Sequence, residues 1–153
     1  MKAMVLGVGA IGSVTAQCLA ESDEYDKVVL GARNPEKGKR LAKKIGSDKV
    51  SVVKLDASNV GAMTKAFKGL DIVCNLAIPR FNFGIMEACE KAKVNYLDTA
   101  WDIAIDKTPP GQIVKPAPPS FLYLKKDKAW KKMGLTGILG LPREEVRQEG
   151  RGV

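Results

Sequence analysis

The chain has 153 residues, of which 45% are hydrophobic, and its formal net charge is +8 at pH 7. This length and composition allow one sizeable core, so we expect one main domain. The sequence has no run of about 18 apolar residues and no leader-like N-terminus, which argues against a membrane span or export and predicts a cytoplasmic protein.

A glycine motif joins the first predicted strand, over residues 2–6, to the first predicted helix. The motif reads Gly7-Val8-Gly9-Ala10-Ile11-Gly12. In such a motif, Gly7 permits a sharp turn, Gly9 lets the backbone approach a diphosphate, and Gly12 lets helix and strand pack closely. The pattern predicts a dinucleotide-binding turn, although glycines also gather in turns that bind nothing.

The helix after this turn, predicted over residues 11–21, supplies the other half of the expected phosphate site. Its first amide groups, at Ala10, Ile11 and Gly12, have no intrahelical partner, and the helix dipole adds partial positive charge there. The side chains that we expect to face the sheet are Ile11, Val14, Cys18 and Leu19.

The second predicted strand covers residues 27–30 and is followed by a helix with clear end signals. Asn34 and Pro35 are typical of an N-cap and a first-turn proline, and Gly46 is typical of a helix end.

The residues after this second strand bear on the choice of nucleotide. NAD sites usually carry an acid at the strand end for the ribose hydroxyl, but here that position is Gly31, and Asp26 lies before the strand. Arg33, Asn34 and Lys37 cluster where the 2′-phosphate of NADP would lie, and a guanidinium can form paired hydrogen bonds to a phosphate. This favours NADP(H) over NAD(H). The alternative is that these residues are only a solvated helix start.

The rest of residues 1–106 continues the alternation of strands and helices that is typical of a parallel α/β sheet. We therefore predict a Rossmann-type doubly wound parallel sheet in a three-layer αβα arrangement, with residues 1–106 as the dinucleotide-binding domain. The remaining elements are predicted as a strand over 50–55, a helix capped by Ser58 that runs to Phe67 and is closed by Gly69, a strand within 70–77, a helix over 81–92 and a strand over 94–97.

Ligands of such sheets lie beyond the carboxyl ends of the strands, so the residues that follow strands three to five are further candidates. Two of them have a structural alternative, because Asp56 can cap the next loop and Asn75 can satisfy buried backbone groups. The candidates are Asp56 and Ala57 beside the adenine, Asn75, Leu76, Ala77 and Ile78 along the middle of the cofactor, and Asp98, Thr99 and Ala100 near the nicotinamide.

The C-terminal third differs in composition. Residues 107–141 begin with a proline-rich connector, followed by a predicted helix over 124–133 and a predicted strand over 135–141, which we assign to an incomplete second part of the protein, and residues 142–153 are expected to fray. Residues 107–153 carry a charge of +6, against +2 for residues 1–106. The tail lysines fit a solvated helix face better than a nucleic-acid groove with interleaved aromatics, so no nucleic-acid partner is predicted.

The cysteines and the absence of histidine limit the chemistry. Cys18, Cys74 and Cys89 are isolated from one another, and there is no histidine to complete a metal site or a nucleophile pair. We expect these thiols to be small buried hydrophobic groups and predict no metal site. No other side chains pair convincingly, so no catalytic residue is assigned.

The sequence resembles the N-terminal domain of the saccharopine dehydrogenase family over residues 1–141. The similarity rests on the glycine motif and on the segments Gly31-Ala32-Arg33-Asn34, Leu55-Asp56-Ala57 and, most distinctively, Asn95-Tyr96-Leu97-Asp98-Thr99-Ala100-Trp101-Asp102. The resemblance implies a Rossmann fold, a nicotinamide dinucleotide, and oxidoreduction at a carbon–nitrogen bond of an amino acid or polyamine precursor.

The resemblance also implies a second domain, which would bind the amino-acid or amine substrate and supply a homodimer surface. Here the apolar run 134–141 leads into Pro142-Arg143-Glu144-Glu145, which predicts a truncated or frame-disrupted product that binds cofactor without turning over substrate. An alternative of another class is a non-catalytic module that senses the dinucleotide. Short-chain dehydrogenase activity is disfavoured, because no tyrosine is followed four positions later by lysine.

Overall fold

The fold is a parallel sheet with helices on both faces, which confirms the predicted Rossmann-type architecture. The computed structural model describes residues 1–100 and 124–140. In chain order, their elements are β1 (Lys2–Leu6), α1 (Ala10–Glu21), β2 (Lys27–Ala32), α2 (Pro35–Ile45), β3 (Val50–Lys54), α3 (Val60–Phe67), β4 (Ile72–Asn75), α4 (Asn82–Ala92), β5 (Asn95–Asp98), α5 (Asp127–Met133) and β6 (Gly137–Ile138). Within this part of the chain the six strands are ordered β3-β2-β1-β4-β5-β6, and every neighbouring pair is parallel.

Two hydrophobic clusters cover the two faces of the sheet. On one face, Val5 of β1 packs with residues of β2 and with α1 and α2. On the other face, Met4 and Leu6 pack with α3, α4 and Trp130 of α5. This alternation along β1 is what a strand buried on both faces requires. Helices α1 and α2 therefore lie opposite α3 and α4, and the strand order reverses between β1 and β4.

The buried face of α1 differs from the prediction. Ile11 and Val14 are 60% and 63% exposed, Cys18 is also exposed, and only Leu19 of the predicted set packs against the core. The reason is the close approach of α1 to the glycine turn, where a Cβ at position 12 would overlap the Gly7 carbonyl oxygen. A helix this close to the sheet can bury only small residues, which here are Gly12, Ala16 and Ala20.

The helix-end signals are partly confirmed. In α2, the Asn34 side chain accepts a hydrogen bond from the Glu36 amide at 3.0 Å, and Gly46 ends the helix with φ of 68°. In α3 the cap is Asn59, whose Oδ1 accepts from the Ala62 amide at 2.9 Å. The predicted cap, Ser58, was wrong because its hydroxyl donates to Asp56 instead, at 2.8 Å.

Helix α4 begins one residue later than predicted. A short 3-10 turn over Pro79–Phe81 precedes it, and the helix proper starts at Asn82. The amide of Phe81 donates to the Ile78 carbonyl at 3.1 Å, which closes this turn.

Residues 124–140 return to the same sheet. Strand β6, predicted over residues 135–141, pairs with β5 over only two residues, and beyond it the Gly140 amide donates to the Asp98 carboxylate at 2.6 Å. The regular part of the predicted helix 124–133 begins at Asp127. Trp130 packs edge-to-face on Tyr96, with ring centroids 6.4 Å apart.

The side chain of Glu90 fastens α5 to α4. Its Oε1 accepts from both Trp130 Nε1 and Lys126 Nζ at 2.6 Å. The predicted connector and the predicted frayed tail lie outside the described residues, so the domain boundary at residue 106 and the assignment of residues 124–140 to a second part stay predictions.

Two of the three thiols are buried as predicted. Burial raises the pKa of Cys74 to about 11 and that of Cys89 to about 12, so both stay protonated at neutral pH. Across residues 1–100 and 124–140, no three His, Cys, Asp or Glu side chains are grouped to hold a metal ion. No helix in those ranges has the length and hydropathy of a bilayer span.

Candidate functional site

A groove of about 380 Å³ lies at the carboxyl ends of the strands, where the strand order reverses. In open parallel sheets this is the position at which ligands bind. We call it the strand-end groove. It is lined by Leu6, Gly7, Val8, Gly9, Gly31, Ala32, Arg33, Asn34, Lys37, Leu55, Asp56, Ala57, Ala77, Ile78, Arg80 and Phe81.

Two glycines of the motif are required by the fold itself. Gly7 has φ of +102°, and a Cβ there would lie 2.6 Å from the Leu76 carbonyl oxygen. A Cβ at Gly12 would overlap the Gly7 carbonyl oxygen. Any larger residue at either position would force the turn away from β4 or from α1. These glycines would be needed even if the turn bound nothing.

Gly9 has no such structural reason. Its φ is −80°, which any residue can adopt, and no atom lies within 4 Å of an added Cβ. It is the N-cap of α1, with no side-chain cap and no acidic residue in the first turn of the helix. The amides of Ala10, Ile11 and Gly12 form that turn, directly after Gly9. The open space beside uncapped helix amides matches the approach path of an anionic group.

Two cationic side chains that follow β2, one directly after the strand and one on α2, line the groove. Arg33 and Lys37 line it and are exposed. Asn34, which also lines it, uses its side chain to cap α2. A Cβ at Gly31 would lie 2.9 Å from Leu6 Cδ1 and 3.3 Å from Met4 Sδ. Packing against Leu6 and Met4 therefore favours a glycine at position 31. The same glycine leaves no carboxylate at this position.

Asp56 follows β3 and keeps its negative charge in the groove. Its Oδ1 accepts from the Ser58 amide at 2.9 Å and from the Ser58 hydroxyl at 2.8 Å. These hydrogen bonds, with a further contribution from the charge of Arg33, lower the pKa of the carboxyl group. Asp56 therefore closes its own loop, and its charge lies close enough to Arg33 to interact with it. Ala57 lines the groove beside it.

The residues that end β4 and β5 are occupied in a buried polar network. We use this name for Asn75, Asn82, Tyr96 and Asp98, whose side chains hydrogen-bond to one another. Asn75 Nδ2 donates to Asn82 at 2.8 Å and to the Tyr96 hydroxyl at 2.9 Å. The Tyr96 hydroxyl donates to Asp98 at 2.7 Å. Asn82 Nδ2 donates to Asp98 at 3.2 Å and to the Ala100 carbonyl at 2.8 Å.

Burial changes the proton affinity of the Asp98 carboxyl group. It is 4% exposed, and desolvation raises its pKa, although the hydrogen bonds from the Tyr96 hydroxyl and the Gly140 amide act in the opposite direction. Asn75 is 2% exposed, and its Oδ1 accepts from the Ala77 amide at 3.2 Å. The side chains of Asn75 and Asp98 therefore serve the protein interior, as the structural alternative for Asn75 stated.

The structure brings together part of the predicted set. Among the candidate residues, the groove is lined by Gly7, Gly9, Arg33, Asn34, Lys37, Asp56, Ala57, Ala77 and Ile78. The candidates that do not line it are Ala10, Ile11, Gly12, Asn75, Leu76, Asp98, Thr99 and Ala100. Ala10, Ile11 and Gly12 follow Gly9 at the start of α1, and Thr99 and Ala100 are exposed beyond β5.

Sequence reasoning missed Arg80 and Phe81, which line the groove from the 3-10 turn before α4. A signal was present. Pro79 opens this turn just as Pro35 opens α2, and a basic residue lies within two positions of each proline, Arg80 after Pro79 and Arg33 and Lys37 on either side of Pro35.

Comparison with known proteins agrees with this geometry. A family model described as the saccharopine dehydrogenase NADP binding domain matches residues 3–136. The chain belongs to this family. Within the saccharopine dehydrogenase family, the carboxyaminopropylagmatine dehydrogenase of Synechocystis sp. is 38% identical over 101 residues, which are 65% of this chain and 25% of that protein.

A second curated relative and one solved structure extend the match along the chain. Carboxynorspermidine synthase of Vibrio alginolyticus is 30% identical over 151 residues, covering 92% of this chain and 36% of that protein. The apo saccharopine dehydrogenase (L-Glu forming) of Saccharomyces cerevisiae superposes with a TM-score of 0.69 at 19% identity, covering 92% of this chain and 27% of that one. The chain thus spans a quarter to about a third of these relatives.

Family membership bears on the nature of the ligand. Residues 3–136 match the NADP binding domain of the family, and this description supports a nicotinamide dinucleotide as the cofactor. The donor set fits such a group, since open space at Gly9 adjoins uncapped amides and cations line the same groove.

Proposed function

We propose that this chain is the NADP(H)-binding part of an oxidoreductase that moves a hydride between nicotinamide and a carbon–nitrogen bond. The observation that carries the proposal is Gly9, a glycine with ordinary dihedral angles and empty space where its side chain would be. Neither packing nor backbone geometry accounts for it, whereas close approach of a diphosphate to the first turn of α1 does.

The preference for NADP(H) rests on the charge of the groove. Arg33, Lys37 and Arg80 line it, and Asp56 is the carboxylate among its lining residues. The Asp56 carboxylate is already bonded to Ser58, so it does not compete for a ribose hydroxyl in the manner of the acid at NAD sites. Arg33, directly after β2, and Lys37, on α2, would hold the 2′-phosphate by charge-assisted hydrogen bonds.

The substrate class is proposed from the relatives. One is named for carboxyaminopropylagmatine and another for carboxynorspermidine, both of which are carboxylated polyamine compounds. A bound nicotinamide supplies the hydride in such chemistry. The residues of this chain bind and orient the dinucleotide, and no described residue is assigned to proton transfer. An amino-acid or amine substrate and a homodimer remain part of the proposal.

Calorimetric titration of the purified chain with NADPH and with NADH tests the nucleotide assignment. We expect NADPH to bind more tightly. Arg33→Ala and Lys37→Ala should each weaken NADPH binding about tenfold and leave NADH binding unchanged, because a charge-assisted hydrogen bond contributes about 1.5 to 3 kcal/mol. Arg40→Ala, on α2 but outside the groove, is the matched control. Tighter binding of NADH, or equal losses for both nucleotides, would contradict the assignment.

A further inference from the structure

We propose that Arg80 is a stacking platform for the adenine ring, on the wall of the strand-end groove opposite Arg33. The inference rests on the proposed function, because it concerns the same groove and the same ligand. It assigns a binding role to Arg80, which belongs neither to the glycine motif nor to the pair Arg33 and Lys37.

The geometry of Arg80 and Phe81 is the starting point. The Arg80 guanidinium carbon lies over the Phe81 ring, 4.7 Å from its centroid. Phe81 packs against the larger hydrophobic cluster, and Pro79 opens the 3-10 turn that carries both residues. A planar guanidinium has two faces. Phe81 covers one of them, and Arg80 is exposed and lines the groove, so the other face is accessible to a flat ligand.

The topology puts Arg80 across the groove from Arg33. Arg33 comes just before α2 and Arg80 just before α4, and these two helices cover opposite faces of the sheet. Leu55 and Ala57, at the end of β3, supply an apolar lining between them. If the diphosphate lies at Gly9 and the 2′-phosphate at Arg33, the adenine is the part of the ligand that reaches this apolar lining.

The chemistry separates stacking from phosphate binding. No carboxylate among the described residues lies within ion-pair distance of Arg80. Stacking of a guanidinium on a base depends on its planarity and is the same whether or not the ribose carries a 2′-phosphate. A phosphate contact would instead depend on charge and would be sensitive to the 2′-phosphate.

The test compares Arg80→Ala, Arg80→Lys and Arg33→Ala by calorimetric titration with NADPH, NADH and nicotinamide mononucleotide, which lacks adenine. We expect Arg80→Ala to weaken NADPH and NADH by the same factor, about tenfold. Arg80→Lys should give nearly the same loss, since it keeps the charge and removes the plane. Neither variant should change binding of the mononucleotide. Arg33→Ala should weaken NADPH alone.

Several outcomes would overturn the inference. Unchanged affinities in Arg80→Ala would show that the side chain does not contact the ligand. A loss confined to NADPH and restored by Arg80→Lys would make Arg80 a phosphate ligand. If the wild-type chain binds neither dinucleotide, the proposed function fails first and this inference fails with it. Thermal unfolding of each variant, expected at the wild-type temperature because Arg80 is exposed, checks that the fold is intact.

Discussion

The carboxyl ends of β1–β3 and those of β4–β5 are neighbours, yet they use polar side chains in opposite ways. Around β1–β3 the groove is open, Gly9 has empty space beside it, and Arg33 and Lys37 are exposed. At the last residues of β4 and β5, by contrast, Asn75 and Asp98 are buried, and within the described residues no buried side-chain nitrogen or oxygen is left without a hydrogen-bond partner.

The strand-end groove has polar groups available to a ligand, whereas the polar groups of the buried polar network stabilise the fold. A buried polar group must be hydrogen-bonded, and once its partners are protein atoms it has little capacity left for a ligand. The network also links the two regions, because Asn75 accepts from the Ala77 amide in the groove wall while Asp98 accepts from Gly140 near β6. Substitutions in the network should therefore change stability, and substitutions in the groove should change affinity.

The largest expected effect is that of Asp98→Ala. It removes the acceptor of the hydrogen bonds that the Tyr96 hydroxyl and the Gly140 amide donate to Asp98, so we expect a loss of about 3 kcal/mol in the free energy of unfolding. Urea denaturation followed by tryptophan fluorescence measures it. The matched control is Asp56→Ala, an exposed carboxylate that follows β3, for which we expect a loss of less than about 1 kcal/mol. Equal losses of unfolding free energy for Asp98→Ala and Asp56→Ala would contradict the distinction between the buried polar network and the groove.

A smaller loss is expected for Tyr96→Phe, which removes one hydroxyl from the network and keeps the ring against Trp130. We expect a loss of about 1.5 kcal/mol in the free energy of unfolding. Tyr25→Phe is the control, since Tyr25 packs against the other face of the sheet, and it should cost less than about 0.5 kcal/mol. A wild-type stability for Tyr96→Phe would mean that its hydroxyl contributes nothing to the network.

The smallest expected effect is on pH dependence. Because burial raises the pKa of Asp98, the folded state binds this proton more tightly than the unfolded state. The stabilisation of the folded state by protonated Asp98 is therefore fully present below the ordinary pKa of 3.8 and is lost as the pH rises through the raised pKa of the folded state. The destabilisation by Asp98→Ala should then be larger at pH 4 than at pH 7, in the same denaturation assay. The opposite trend would mean that Asp98 is stabilised in its charged form.

The sequence was sufficient to predict the features that depend on residue types within a short segment. The glycine turn, the cap at Asn34 and the cations at Arg33 and Lys37 follow from residue types at fixed spacing, and the structure brings them to one groove. Alternation of apolar runs and helical segments was enough for a parallel sheet. Each of these inferences needs only a short segment of chain.

The features that were missed depend on packing between distant segments. Polar residues after a strand look the same whether they face a ligand or the interior, and the burial of Asn75 and Asp98 comes from Asn82, Tyr96 and Gly140. Likewise, α1 has apolar residues on one side and small residues on the other. Only the closeness of the helix to the glycine turn decides which side is buried.

The most direct test of the central claim is a calorimetric titration of NADPH into Gly9→Val. The empty space around an added Cβ means that this variant should fold, with a free energy of unfolding within about 1 kcal/mol of wild type because valine is a poorer N-cap than glycine, while its side chain occupies the path of the diphosphate. Gly61→Val, on an exposed position of α3, is the control. The account predicts a loss of at least about tenfold in NADPH affinity for Gly9→Val and none for Gly61→Val. Wild-type affinity in Gly9→Val would contradict it.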